Sequence, residues 1–473
     1  MSKDRYVIQR SRPGQALGDF RVGIIGGGIS ALVTAHALSR AGAAVTLLER
    51  HERVGGAVGS VRAGGFLAEA GPHTLQVSAM EQLLFLGEVG LRDRVRLPFP
   101  EAKKRFILKG GRPLAVPGGP GGLLGTKLFS AGGKLRLLQE PTVKGRKDSA
   151  EESVAEFVRR RLGREVLDWA VNPFVAGVYA GDPERLSVRH AFPMLYNLEQ
   201  QGGSLMRGGM KAAKTKDPGK LKALTVSFPE GLGELPAALA ETLEGSVHTM
   251  ATVERISRRN DRWEIGWTAK GEPGEDRFHA LVLGTPAHVL EGLPLPPELK
   301  ALLEPLTRIP YPPVSSYTFG FRREDVRHPL DGFGVLVPER EQRKVLGVLF
   351  PSSLYPGRAP EGCVTLAVFV GGTRQPELCA QPEAELRGMI LEELQSLLGV
   401  AGEPLWEQSF QWPKAIPQYN LGYGQLISAV ETAENRFPGL YFAGNYRDGI
   451  ALGNCITNGL ALGERIAGTA RHS

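Results

Sequence analysis

The apolar positions of this chain recur in three rhythms, and each predicts a different element. Near the N-terminus, "RVGIIGGGISALVTAHALSRAGAAVTLLER" (21–50) runs from an apolar cluster through glycines into a helical spacing, then to a second apolar cluster. Val22, Ile24 and Ile25 suit a buried parallel strand. Ile29, Leu32, Val33, His36 and Ala37 share one helical face. The unit therefore reads strand, tight turn, helix, strand, ending at Glu49. The C-terminal "GLYFAGNYRDGIALGNCITNGLALGERIA" repeats the rhythm. It predicts a buried strand from Leu440 to Ala443, a glycine turn, and a helix with Ile456, Leu460 and Ile466 inside and Asn454 as its cap.

Between these ends, "AKKRFILKGGRPLAVP" predicts a hairpin with Gly110 and Gly111 at its tip. From about Glu151 to Gln201 the spacing is helical, with Val154, Phe157, Val158 and Leu162 on one face. Residues 207–220, "RGGMKAAKTKDPGK", read as a polar, basic loop. "GLGELPAALAETL" (231–243) predicts a helix, followed by strands and hairpins that end in a buried strand. Residues 310–372 are rich in strand patterns, and a helix is expected near 382–398.

A chain of 473 residues is too long for one core. The patterns group into a discontinuous nucleotide-binding domain (20–100, 225–295 and 405–473), a sheet domain (101–117 and 296–404) and an inserted helical domain (118–224). The fold class expected is α/β, more broadly α+β multidomain. Its parts are a Rossmann-like cofactor domain, an antiparallel-sheet substrate domain and the helical insertion.

Hydrophobic content of 42% and charged content of 23% are ordinary for a globular enzyme. A net charge of +7 favours acidic partners, either a carboxylate-bearing substrate or an anionic lipid surface. The basic residues are scattered and form no nucleic-acid module, so no nucleic-acid partner is expected. Cys363, Cys379 and Cys455 make neither a C-x-x-C pair nor a disulfide framework. That composition predicts a reducing cytoplasm, and no metal site is expected. The polar N-terminus lacks a signal-peptide core, and no apolar run approaches the ~18–20 residues of a spanning helix.

The glycines carry the chemistry. Gly26 allows the tight turn, Gly28 lets the backbone approach a pyrophosphate, and Ala31 takes the third small position. The amides of Ile29 and Ser30 open a helix whose dipole attracts a diphosphate. Glu49 stands 21 positions after Gly28, where an acid would hydrogen-bond a ribose hydroxyl. The alternative is a plain glycine-rich turn, but strand, helix and acid in register favour a dinucleotide. A second glycine turn follows in "HERVGGAVGSVRAGGFLAEAGPHTLQ", with Arg53, Gly55 and Gly56, and then Glu69 and Gly71. It suggests a long, extended cofactor. The C-terminal strand-turn-helix supplies a second helix N-terminus, which would stabilise the negative charge of a reduced flavin. FAD is therefore expected over NAD.

These stretches, "GGGISAL", "ER…RVGGAV", "GFLAEAGPH" and "GLYFAGN", resemble the FAD-containing amine oxidase and protoporphyrinogen oxidase superfamily. "YAGDPERLSVRHAFPMLYNLEQQGGSL", "GFGVLVP" and "WPKAIPQYNLGY" resemble its bacterial oxygen-dependent protoporphyrinogen oxidases. The resemblance runs from about residue 20 to 470. Two positions depart from it: Gly453 and Asn454 replace the family's usual pair near the flavin.

The resemblance implies oxidation of protoporphyrinogen IX to protoporphyrin IX in haem synthesis. Six electrons leave as three hydrides to FAD, with O2 as acceptor and hydrogen peroxide as product. No protein side chain is expected to be catalytic, and His73 is given no role. Arg105 matches the arginine that pairs with a substrate propionate; its alternative is an exposed hairpin arginine. Leu336, Leu349 (or Phe350) and Phe369 are expected to wall the macrocycle, against the alternative of core packing. Gly177 and Val178 form either a close approach beneath the substrate or a helix-ending turn. FAD contacts are expected from Gly26, Gly28, Ile29, Ser30, Ala31, Glu49, Arg50, Gly55, Gly56, Ala57, Val253, Trp412, Gly444 and Ile450, Val253 and Trp412 by resemblance alone. Further alternatives are coproporphyrinogen III oxidation, amine oxidation and a non-catalytic flavin-binding chaperone. "LLGTKLFSAGGKLRLLQ" suggests peripheral contact with an anionic membrane, or else packing on its own domain. A homodimer stays open.

Overall fold

The computed structural model describes residues 17–146, 150–214 and 220–471. The polar N-terminal stretch, up to residue 16, lies outside the described residues, as do positions 215–219 of the expected basic loop.

The opening unit forms as its pattern dictates. Strand Arg21–Ile25, helix Ile29–Arg40 and strand Ala44–Leu48 follow one another. They seed a five-stranded sheet in the order Leu440–Phe442, Ala280–Leu283, Arg21–Ile25, Ala44–Leu48, Val247–His248. Every pairing in it is parallel, as expected of strands apolar on both faces. A three-stranded antiparallel sheet (Ala251–Arg259, Arg262–Ala269, Glu272–Phe278) covers one side. The contact is tight at Gly23, where a Cβ would sit 2.8 Å from the Ile265 Cδ1.

Helix Ile29–Arg40 packs on the closing helix Leu452–Ala470. A Cβ at Gly459 would sit 2.8 Å from Val33, and one at Gly463 2.5 Å from Ala37. The contacts advance together along both helices, so the two run in the same direction. Their N-termini therefore open at the same end of the sheet.

A seven-stranded sheet forms the second layer: Trp406–Trp412, Val314–Arg322, Cys363–Gly371, Gly347–Leu349, Gly334–Leu336, Phe106–Lys109, Arg112–Ala115. It is antiparallel except where Gly334–Leu336 meets Phe106–Lys109 in parallel. One face, with Phe319, Phe321, Val348, Leu366 and Val368, is buried against Leu386, Ile390 and Leu394 of helix Glu383–Leu398.

Four expectations fail, each through a distant contact. Trp406–Trp412 was expected with the nucleotide-binding segment, but it pairs with Val314–Arg322 in the second sheet. Helix Pro297–Thr307, expected in the sheet domain, instead joins Leu281 and Leu283 in the core around the parallel sheet through Leu299, Leu303 and Leu306. The expected loop begins as helix Leu205–Lys214 and resumes as strand Lys220–Val226, paired with Leu75–Ala79. Its glycines serve close packing: Gly208 lies against the Leu198 carbonyl of helix Pro193–Gly202 with no room for a Cβ. The start of Leu205–Lys214 is capped from afar, by the buried Glu140 carboxylate accepting the N–H of Leu205 (2.7 Å) and Met206 (3.1 Å). Finally, Asn454 is not a cap. Ala451 holds that position, and Asn454 is exposed in the first turn.

Candidate cofactor and substrate site

The cradle is built from backbone. Gly26 has φ +102°, and a Cβ there would sit 2.8 Å from the Gly284 carbonyl carbon. Gly55 has φ +104°, with a virtual Cβ 2.7 Å from the Val58 oxygen. Both positions exclude a side chain on conformation and on space. Gly55 donates its N–H to the Gly27 carbonyl (2.7 Å), so the two glycine turns lie side by side. Above Gly28 the space is open, with nothing within 4 Å of a virtual Cβ; above Gly56 only the Gly28 Cα approaches, at 3.6 Å.

Helix Ile29–Arg40 starts at Gly28 without a side-chain cap, and Leu452–Ala470 starts at Ala451 without one. Free amides at two co-directed N-termini are what an anionic, elongated ligand requires. Buried Thr285 Oγ1 beside Gly26 and His288 Nδ1 have no partner among the described residues. The cradle thus fits a dinucleotide cofactor.

Glu49 is buried at the end of its strand. Its carboxylate accepts the Gly27 N–H (2.6 Å) and the His51 N–H (2.8 Å). Arg50, beside it, is exposed. Val253 is half-buried on the strand whose first residue, Ala251, donates to the Glu49 carbonyl at 2.8 Å. Ser30 and Ala31 are buried in the first turn of the helix, while Ala57 is exposed on the second glycine turn. Gly444 (φ +152°) and Gly449 (φ +121°) bracket the C-terminal turn, and Ile450 is half-buried beyond it. Tyr419 clamps that turn, donating to the Asn445 carbonyl and accepting the Gly449 N–H at 2.9 Å. Trp412 joins the two layers by donating its indole N–H to the Ala70 carbonyl (2.8 Å). Gly453 replaces the usual family residue where a Cβ would strike the Gln76 carbonyl.

The second sheet supplies a wall. Its pleat turns alternate residues to opposite faces. Leu336, Leu349 and Phe369 are each half-buried, while Val335, Val348 and Val368 beside them are buried against the helix. Leu336 is level with Gly347, and Gly347 with Phe369, so the three strands place these residues on one face. Phe350 is fully buried in the opposite core, which decides between it and Leu349. Gly177 lies in the last turn of helix Asn172–Tyr179, where a Cβ would sit 2.6 Å from the Leu336 Cδ2. It is part of a helix end, and the group that approaches it closely is Leu336; Val178 beside it is exposed.

Arg105 is exposed one residue before Phe106–Lys109, with its guanidinium 4.9 Å from the Phe333 ring centre. It makes no ion pair among the described residues, whereas Lys104 beside it pairs with Asp331. Sequence reasoning missed His73. Its ring meets Phe369 edge-on at 5.3 Å, and both ring nitrogens are buried without a partner. Burial, aided by the charge of Arg358, holds its pKa down to about 4. The signal available was a histidine directly after the Gly71–Pro72 turn.

Among the described residues, no group of three or more His, Cys, Asp or Glu side chains could hold a metal. No helix among them is long and apolar enough to cross a membrane.

Two glycine turns, a second helix N-terminus and a facing sheet wall define a class of flavoproteins. Residues 29–465 match the flavin-containing amine oxidoreductases, and the chain belongs to that family. It is an FAD-dependent oxidoreductase. The chain is 34% identical to Protoporphyrinogen oxidase 2, chloroplastic/mitochondrial, of Arabidopsis thaliana, over 96% of this chain and 94% of that one. It is 26% identical to Coproporphyrinogen III oxidase of Bacillus subtilis, over 94% and 97% respectively. A crystal structure of an Exiguobacterium sp. 255-15 protein shares the fold, with a TM-score of 0.79 at 24% identity over 95% of this chain and 99% of that one.

Proposed function

We propose that the protein oxidises protoporphyrinogen IX to protoporphyrin IX. The observation that carries this reading is the half-buried face of Leu336, Leu349 and Phe369, which His73 links to the second glycine turn. A flat macrocycle needs broad apolar walls, and its propionates need a cation outside them. Arg105, exposed and without an ion pair among the described residues, fits that need. Gly177 lets Leu336 of this wall lie close to helix backbone.

Bound FAD supplies a two-electron acceptor, and three rounds remove the six electrons. Each round reduces one O2 to one H2O2. The chain orients the substrate and keeps water from the reacting carbon. The backbone of Gly26, Gly28, Ile29, Ser30 and Ala31 holds the diphosphate. Glu49, Arg50 and Val253 take the adenosine end. Gly55, Gly56, Ala57, Trp412, Gly444 and Ile450 surround the remainder.

Coproporphyrinogen III is the second reading. It is favoured by the exposed run Lys103–Lys104–Arg105 at the sheet edge and by the name of the Bacillus relative. Anaerobic mixing with each porphyrinogen, followed by flavin bleaching, tests both. Protoporphyrinogen is expected to give the larger kcat/KM; equal or greater efficiency on the tetracarboxylate would reverse the order, and no bleaching with either would end the proposal.

The helical segment also presents Leu135 and Leu138, 57% and 60% exposed, on helix Ala131–Leu138. We infer that this surface rests on an anionic bilayer. The contact is narrower than the sequence suggests, because Leu128 and Phe129 are buried. Salt-sensitive co-sedimentation with anionic vesicles is the expected result, and its absence removes the claim.

A further inference from the structure

His73 sits where the two halves of the site meet. Behind it, Gly71 is pressed on the second glycine turn, its virtual Cβ 2.5 Å from the Ala57 carbonyl oxygen. Ahead of it is Phe369 on the sheet wall, 5.3 Å away with rings nearly perpendicular. Both imidazole nitrogens are buried and unpartnered, and so is the Oγ of Ser316, the cross-strand neighbour of Phe369. Two polar side chains lacking partners, on either side of one half-buried aromatic, mark a place where a ligand supplies the hydrogen bonds.

Two buried ring nitrogens without partners carry a desolvation cost that packing alone does not explain. Arg358 is the charged group that bears on it. That guanidinium donates to Ser227 Oγ (2.6 Å) and lies 3.7 Å from the Glu69 carboxylate. The imidazole is therefore held neutral, with one nitrogen free to accept a proton and the other to donate.

Resting on the porphyrinogen reading, we propose that His73 is a catalytic residue, whose imidazole contacts the macrocycle and takes the pyrrole N–H proton at each two-electron oxidation. When a bridging CH2 of a porphyrinogen gives up hydride, the C–H electron pair leaves with it and the adjoining pyrrole becomes cationic. Breaking the pyrrole N–H bond leaves its own electron pair on the nitrogen, and the ring becomes a neutral imine with a C=N bond. The proton forms a new N–H bond on His73. Hydride and proton together equal the two hydrogens that convert one O2 to one H2O2, and imine–enamine tautomerism between rounds moves bridge hydrogen to nitrogen, so that three rounds remove four bridge hydrogens and two N–H hydrogens in all. A neutral imidazole in a dry site is a far better acceptor for this proton than occasional water.

The test uses the FAD-loaded protein and its His73→Gln and His73→Ala variants. Flavin content and protoporphyrin IX affinity, the latter by fluorescence quenching, are measured beside anaerobic flavin bleaching by protoporphyrinogen. Bleaching is expected to slow by about 10²-fold or more in both variants, with flavin content and porphyrin affinity kept near wild type. Wild-type bleaching rates in either variant would overturn the assignment. So would slowing that only follows lost porphyrin affinity, since His73 would then be a packing residue. Failure of the wild-type protein itself to bleach or to bind porphyrin strikes the porphyrinogen reading, a result distinct from either of these.

Discussion

The candidate cofactor cradle and the candidate substrate wall are made of different material. The cradle is main chain: Gly26 and Gly55 hold left-handed conformations within 3 Å of other backbone. The wall is side chain: Leu336, Leu349 and Phe369 project from one face of a sheet whose other face is solid core. The contrast shows that a site made of backbone depends on the path of the chain. A site made of side chains depends on volume, and it can change without disturbing the fold.

The largest effect should come from Gly55→Val, which forces a branched side chain into a φ of +104° against Pro236 and the Val58 carbonyl. Purified protein is expected to be colourless or unfolded, read from the ratio of flavin to protein absorbance. A coloured, stable variant would break the comparison. Next, Phe350→Ala should cost about 3–5 kcal/mol of stability in denaturant titration, since that ring is fully buried. Phe369→Ala, on the half-buried face, should cost less stability than Phe350→Ala and weaken porphyrin binding about ten-fold, or roughly 1.4 kcal/mol. Equal behaviour of the two would mean the faces are not functionally distinct.

Gly28→Ala sharpens the same contrast within the cradle. With open space above Gly28, the melting temperature of the flavin-free protein should hold, while flavin affinity falls about ten-fold or more.

A further effect is in pH. His73 is held neutral in the folded protein, with its pKa lowered from 6.5 to about 4. The unfolded chain binds a proton below about 6.5 and the folded one does not. Stability present above that pH is therefore lost as pH falls toward 4. His36, His190, His279, His288 and His328 are also shifted down by burial, so they share the slope. His73→Asn should flatten only part of it, as measured by thermal melts between pH 7 and 4. An unchanged slope would show that His73 is already solvated.

The cradle was largely legible from residue type and spacing. Glycines needed for φ above zero, a strand on each side and an acid at the right distance are local requirements, and they leave local marks. The wall was legible only through resemblance. Nothing in the residues themselves separates Leu349 from Phe350, because both are large and apolar and they are adjacent, one ending a short strand and the other just beyond it. The pleat decides, and the pleat's register is set by Ala367 and Gly334 on neighbouring strands. His73 was passed over for the same reason: its neighbour Phe369 is almost 300 positions away.

Periodicity and glycine chemistry, then, determined the opening strand-turn-helix-strand, its closing counterpart, the hairpin at Gly110–Gly111 and the flavin expectation. These follow from backbone conformation and from contacts a few residues apart. Tertiary structure alone decided that Trp406–Trp412 joins the second sheet, that Glu140 caps a helix 65 positions on, that Asn454 caps nothing, and that an unpartnered imidazole faces the wall. Each of these depends on which distant backbone donors, acceptors and apolar faces find one another when the chain closes. That choice is made by global packing and leaves no mark in a local pattern.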